Sequence, residues 1–354
     1  MFPWRPTERD YQRFFYEEYY REIDFIKFVD VSILLKKCYA IDDLNRFDNK
    51  TEIIKNFYEL FLYLIKYKPT HIVNCCGRVE SSNKLRKNLF LRIISFFCDV
   101  IEWRGPNAPF YNTECKRKKS SFIKELLKND LIWGKSDYLY VFGTKSDYSG
   151  YDRKIYGHAF DYDLFHKDQN NKAELENKLV FIDCDYAFHP DYNFAGIKAP
   201  VTPEKYFFEV NYFLRNLEKL HNLKVEILLH PKANFEKARK YYKFDLSQGS
   251  TFSRIKKAKL VVSHDSTAIS QAVLLNKPLI LFRTSEMIKS KIYSKFTLNF
   301  GSELNCPVYS WDDELINNEI IQDKNAYKCY TEKYTKHPSS PNLLSYKILL
   351  NSIL

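Results

Sequence analysis

No two cysteines of this chain stand as Cys-x-x-Cys, and none share a spacing that suits a metal. The eight (Cys38, Cys75, Cys76, Cys98, Cys115, Cys184, Cys306 and Cys329) lie mostly within apolar runs, as reduced core thiols do. No stretch reaches ~18 uninterrupted apolar residues, so no membrane-crossing helix is expected. The opening Met1-Phe2-Pro3-Trp4-Arg5-Pro6 lacks the apolar centre of a signal peptide. These absences predict a cytoplasmic protein, at most peripheral to the inner membrane. Gly-x-Gly-x-x-Gly is missing, which leaves a dehydrogenase-type dinucleotide site unsupported. No repeat recurs at a solenoid period. A basic recognition helix, zinc-finger spacing and an RNA-binding aromatic motif are also absent. Nucleic-acid binding, the rival reading from another class, therefore rests only on a pI near 9.0 and the aromatic content.

What is present suits a cytosolic enzyme of two domains. The 354 residues are 45% hydrophobic and 17% aromatic, enough for two cores of ~150–200 residues each. The formal net charge is +11, which favours an anionic substrate, nucleic acid or an anionic membrane face. Lys and Arg are spread along the chain. Only Lys116-Arg117-Lys118-Lys119 is a compact block; it reads first as a solvated loop and second as a contact for lipid phosphate or a sugar acid.

Residues 7–28 carry apolar side chains at helical spacing (Phe14, Phe15, Tyr19, Ile23, Ile26) and read as a surface helix. From Thr51 to Lys66 the pattern predicts an amphipathic helix capped by Thr51, with Ile54, Phe57, Phe61, Leu64 and Ile65 toward a core. Strand–helix alternation follows. Strands are expected at His71–Cys76, Phe96–Trp103 and Tyr138–Phe142, and helices from about Ser82 and over Ser120–Lys128. This gives an α/β domain over 1–150 and a polar hinge over 151–178. A second α/β domain spans 179–325, and a helical tail spans 326–354. In the second domain, Thr202 and Pro203 start a long helix whose apolar face (Phe207, Val210, Phe213, Leu214, Leu217) packs on a sheet.

The densest signal lies in Lys224–Phe282. Strand Val225–Leu229 ends on His230-Pro231, and strand Leu260–Val262 ends on Ser263-His264-Asp265-Ser266-Thr267. A helix (Ala268–Leu275) and Asn276-Lys277-Pro278 lead into strand Leu279–Phe282. Three buried strands joined by helices predict a parallel sheet. Ligands bind at the carboxyl edge of such sheets, where backbone N–H groups at helix starts face outward. His230, Ser263, Ser266 and Thr267 stand on that edge. Ser250 and Thr251 open a further short helix (Phe252–Ala258) that faces the same way.

His-Pro after one strand, then Ser-His-Asp-Ser-Thr-Ala, then Asn-Lys-Pro-Leu-Ile-Leu-Phe resembles the donor-binding domain of GT-B glycosyltransferases. The likeness covers about sixty residues. It is strongest to bacterial enzymes that use CMP-activated sugars, the sialyltransferases and Kdo transferases of capsule and lipopolysaccharide assembly. The resemblance implies two Rossmann-like domains facing across a cleft, the second holding a nucleotide sugar and the first a glycan or glycolipid acceptor. It implies that His230, followed by Pro231, and Ser266 or Thr267 contact the nucleotide phosphate. The reaction implied is transfer of a 2-keto acid sugar such as Kdo or sialic acid from its CMP donor.

Glycosyl transfer needs a base or a carboxylate nucleophile. Asp185 is the first candidate and Asp183 the second, at the end of strand Leu179–Ile182; His230 acts on the leaving group. His189, in the same loop, is a candidate sugar or acceptor contact. His158, Asp161 and Asp163 are candidate sugar or acceptor contacts, with an ordered, capped turn as their other reading. Asp183-Cys184-Asp185 and Asp161-Tyr162-Asp163 both have the Asp-x-Asp form of metal-dependent transferases, a pattern that arises by chance in an Asp-rich chain. No metal and no resident cofactor is expected. The alternatives are a GT-B transferase using a UDP-, GDP- or CDP-linked donor, or a non-hydrolysing sugar-nucleotide epimerase.

Overall fold

The computed structural model describes residues 1–2, 6, 8–23, 25–35, 51–76, 84–103, 108–109, 136–145, 151, 153–171, 173–192, 196–290, 292–315 and 319–353. The chain forms two compact units. The first comprises Met1–Gly105, Cys115–Phe160 and His337–Leu354; the second comprises Pro106–Glu114 and Asp161–Lys336. The basic block Lys116–Lys119 and the helix expected over Ser120–Lys128 lie outside the described residues.

The first unit opens with α1 (Glu8–Arg13) and α2 (Tyr16–Glu22), two short helices where the sequence predicted one. A parallel pair follows, β1 (Phe28–Asp30) and β2 (Thr51–Ile53). Thr51 is therefore a strand residue, not a helix cap. The cap of α3 (Phe57–Tyr67) is Asn56, whose side chain accepts the Glu59 N–H at 2.9 Å. Then come β3 (His71–Asn74), α4 (Lys84–Phe97), β4 (Asp99–Trp103), β5 (Tyr138–Val141) and β6 (Arg153–Tyr156). Phe96 and Phe97, expected in a strand, finish α4 instead. The sheet runs β3-β4-β5-β6, all parallel and in chain order. Successive β4 residues feed opposite cores: Val100 joins Leu60, Leu64, Phe90 and Ile94, whereas Ile101 and Trp103 join Tyr140 and Ile155.

Unit two contains α5 (Phe160–Asp168), β7 (Lys178–Ile182), α6 (Pro203–His221), β8 (Lys224–Leu229), α7 (Phe235–Arg239) and β9 (Asp245–Gln248). It continues with α8 (Thr251–Lys257), β10 (Leu260–Ser263), α9 (Ile269–Leu274), β11 (Leu279–Arg283), α10 (Ser285–Lys289), α11 (Tyr293–Leu304), β12 (Val308–Ser310) and α12 (Lys324–Tyr330). Residues 151–178, read from sequence as a hinge, thus hold β6 in the first unit and α5 at the start of the second. The chain ends in α13 (Ser345–Ile353), whose Ile348 and Leu349 pack with Ile101 and Trp103 of the first unit.

The six-stranded sheet has the order β9-β8-β7-β10-β11-β12, parallel throughout. Numbered within the unit this is 3-2-1-4-5-6, the doubly wound Rossmann order. Both faces are covered. Leu179 and Phe181 of β7 face α6, through Val210, Phe213 and Leu217; Val180 and Ile182 face α8, α9 and α11, through Ile255, Ile269 and Phe300. Strands buried on both sides read as continuous apolar runs, which is why β7, β10 and β11 stand out in the sequence, with β8 broken only by Glu226. Thr202 takes the N-cap position of α6, as expected, but its hydroxyl does not cap the helix. It is drawn instead to the Glu286 carboxylate, 3.0 Å away.

Candidate active site

In a Rossmann sheet the direction of chain progression reverses between the first strand and the fourth, and the crevice there opens at the carboxyl ends. Here those strands are β7 and β10. Ile182 pairs with both Ser263 and Leu228. Continued by two residues, that register sets Cys184 level with His230 on one side and Asp265 on the other. Neighbouring strands are ~4.8 Å apart, so the backbones of the His230 and Asp265 loops flank the Asp183–Asp185 loop on one edge. The His230 loop and the Ser266/Thr267 loop thus stand on one edge, on either side of the Asp183–Asp185 loop.

Three carboxylates occupy this edge, all buried. Asp183 Oδ1 accepts the Asp185 N–H at 3.0 Å, and burial pushes its carboxyl up to about 6. Asp185 adopts a left-handed backbone, φ 53°, a conformation that short polar side chains tolerate better than other L-residues. Burial, then the neighbouring Asp183 charge, raise its carboxyl to about 7. Its Oδ2 is buried with no hydrogen-bond partner. A carboxyl poised near 7 with one unengaged oxygen has the properties of a general base. Asp265 is also buried and pushed up to about 6. The Tyr186 hydroxyl lies 2.6 Å from each of its oxygens.

His264, between these groups, is fully buried and held neutral, its pKa lowered by burial to about 4. Its Nδ1 donates to the Phe282 carbonyl at 2.7 Å, so Nε2 accepts the Tyr206 hydroxyl at 3.1 Å. Tyr206 has a single proton, and Asp183 Oδ1 is 3.4 Å from the same hydroxyl. That hydroxyl is therefore shared between two acceptors, His264 Nε2 and Asp183 Oδ1. No motif in the sequence gives Tyr186, His264 or Asp265 a role. Their signal is position: polar side chains directly after a wholly apolar strand of a parallel sheet.

Nearer the surface, His189 and His230 pack as tilted rings with centroids 4.6 Å apart. His230 Nδ1 accepts the Lys232 N–H at 3.2 Å, so the neutral ring carries its proton on Nε2 as a donor. His189 Nδ1 likewise accepts the Asp191 N–H at 3.2 Å, and burial lowers its pKa. Lys232 Nζ lies 2.8 Å from Asp191. Two imidazoles and a lysine held by Asp191 thus stand together on this loop pair.

The remaining candidates are placed as follows. Ser263 is fully buried and its hydroxyl donates to the Ile182 carbonyl at 3.2 Å, bracing β10 against β7. Ser266 Oγ accepts the Ala268 N–H at 3.2 Å, closing the turn before α9, and Thr267 is exposed. Ser250 sits at the N-cap position of α8 with φ 50° and makes no side-chain cap; Thr251 begins that helix, and Pro231 is exposed. His158 is fully buried in the first unit, with Nε2 2.8 Å from the Leu343 carbonyl. Asp161 accepts from Gln271 at 2.8 Å and from Ser270, tying α5 to α9. Asp163 is fully buried on α5. Hence Asp183, Asp185, His189 and His230 gather on the edge, while His158 and Asp161 are engaged in holding elements together. Among the described residues, no three His, Cys, Asp or Glu side chains are grouped as a metal site requires.

No protein-family profile matches the chain, and neither does any curated protein sequence. Solved structures do resemble it. The wall teichoic acid polymerase TagF aligns over 96% of this chain and 84% of its own, at 12% identity and a TM-score of 0.52. Its H548A variant aligns over the same shares at 13% identity and 0.51. The UDP-GlcNAc 2-epimerase of Methanocaldococcus jannaschii aligns over 99% and 97%, at 13% identity and 0.47. The likeness to TagF is one of fold: two Rossmann-like α/β domains, as the sequence predicted.

Proposed function

We propose that this protein is a glycosyltransferase acting on a nucleotide-activated donor, and that the donor is a nucleoside diphosphate derivative. The observation that carries the reading is the switch-point edge of the six-stranded sheet. It sets the His230 donor and the Asp185 carboxyl on adjacent loops, after β8 and β7. A TagF variant of the same fold was soaked with CDPG, which supports a CDP-linked or similar diphosphate donor over the CMP-linked keto sugar that the sequence resemblance implied.

In this reaction the acceptor hydroxyl oxygen attacks the anomeric carbon of the donor. The carbon–oxygen bond to phosphate breaks, and its electron pair stays with the phosphate. Asp185, ionised, takes the hydroxyl proton as the new bond forms. Asp183 holds the Asp185 backbone through the N–H contact, which orients that carboxyl. His230 donates from Nε2 to the phosphate as its charge grows, and such donors commonly contribute 100-fold or so in rate. The acceptor is a cell-surface glycan or glycolipid.

Calorimetric titration with CDP, UDP, GDP and CMP tests the donor class. Tightest binding to a diphosphate, lost in His230→Ala, supports the proposal; CMP binding as tightly would restore the keto-sugar reading. Conversion of a free UDP-sugar without any acceptor would make the protein an epimerase instead.

A further inference from the structure

The sequence pattern placed Phe61 and Ile65 of α3 toward a core, yet both are exposed. The inner face of α3 is already filled by Leu60, Tyr63 and Leu64, which pack with Phe90 and Ile94 of α4. Its outer face is apolar as well. Tyr58 (71% exposed), Phe61, Leu62 and Ile65 recur at i, i+3, i+4 and i+7, one continuous stripe. A helix apolar on all sides is ordinarily buried on all sides.

The neighbouring helix repeats the pattern. Leu85, Leu89 and Phe96 (81% exposed) lie along one face of α4, and Arg92 is exposed between the last two. Phe97 joins the stripes, its ring 5.5 Å from both Phe61 and Phe96. Exposed large apolar side chains contiguous over two helices mark a surface that meets something.

Charge says what. Exposed Lys55 stands before α3, and Lys66 and Lys68 stand at its other end. Glu59, the acidic residue of α3, turns its carboxylate back to the Lys55 N–H and the Asn56 side chain, both at 2.7 Å. The α4 sequence KLRKNLFLRIISFF holds no acidic residue. An apolar, aromatic strip flanked by cations complements acyl chains topped by anionic headgroups, with the Lys and Arg heads at phosphate level. No described helix is long and apolar enough to cross a bilayer, so this contact lies in the interface. We propose that the outer faces of α3 and α4 dock this protein on an anionic lipid bilayer. The inference does not depend on the transferase reading, because vesicle binding needs no turnover.

Flotation of the full chain with vesicles tests it, comparing pure phosphatidylcholine with a mixture containing about 30% phosphatidylglycerol. The wild type is expected to bind the anionic vesicles at least ~10-fold more tightly, and Phe61→Glu/Phe96→Glu to lose ~10-fold or more of that binding. Lys66→Glu/Lys68→Glu should lose several-fold. A wild type that stays in solution, or a double variant that binds as well as wild type, overturns the proposal. So does a wild-type dimer that the double variant makes monomeric while neither binds vesicles, since the face would then serve a second copy. Should the double variant fail to fold, Phe96→Trp supplies the readout. Its emission should shift to the blue on anionic vesicles, and an unchanged spectrum from vesicle-bound protein overturns the assignment of this face.

Discussion

The Tyr186 hydroxyl lies 2.6 Å from both oxygens of Asp265, at the end of β10, with each side chain buried. This contact ties the loop after β7 to the loop after β10 across the switch point of the sheet. Tyr186→Phe leaves the Asp265 carboxylate buried without its strongest partner. A loss of about 1–3 kcal/mol is expected, measured by urea unfolding at pH 8. At pH 5 the loss should shrink, because Asp265, pushed up to about 6, is then mostly protonated. Equal losses at both pH values would contradict this account of the contact.

Asp185 gives a stability signature of the opposite kind from an ion-paired carboxylate. Its folded pKa, about 7, is above the unfolded value near 4. Both states are protonated at low pH. As pH rises through 4 the unfolded chain ionises first, so stability declines until pH passes about 7 and is level thereafter. Asp185→Asn keeps a residue that tolerates the left-handed backbone and removes the ionisation. The variant is expected to be about 1–3 kcal/mol more stable than wild type at pH 8 and equal to it at pH 3.5. Under the proposed mechanism it also loses ~100-fold or more in turnover. A variant as active as wild type would remove Asp185 from the chemistry.

His230 is half-buried, and its ring packs against that of His189. His230→Ala should therefore change stability by less than about 1 kcal/mol and lower turnover by ~100-fold. Thermal unfolding and a transfer assay on the same preparation separate the two. A large loss of stability would make the residue structural.

Asn56→Ala removes the α3 cap and should cost about 1 kcal/mol, read by urea unfolding. Thr51→Ala, the substitution that the sequence pattern alone would have chosen, should leave the helix cap intact. An Asn56→Ala variant as stable as wild type would remove the cap from Asn56.

The sequence was most legible where residues are buried on both sides. β7, β10 and β11 are apolar through their centres, and β8 is broken only by Glu226, because parallel strands between two helix layers are buried on both faces. The edge strand β9 reads Asp-Leu-Ser-Gln, and β6 reads Arg-Lys-Ile-Tyr; half-exposed strands keep polar residues and resemble loops. Helix caps were misread because a Thr before an apolar run has the same form in a short strand as at a helix start. On the candidate site, the loop residues after strands were visible, but the pairing of Tyr206 with His264 was not. Those two are 58 positions apart, and no local pattern joins them.

The account stands on the carboxyl edge at β7, β8 and β10 as a nucleotide seat, and a crystal soaked with CDP tests that directly. The prediction is a phosphate oxygen within hydrogen-bond reach, ~2.7–3.2 Å, of His230 Nε2, beside the loop that carries Asp185. A nucleotide bound away from that edge, or at it with no contact to His230, would contradict it.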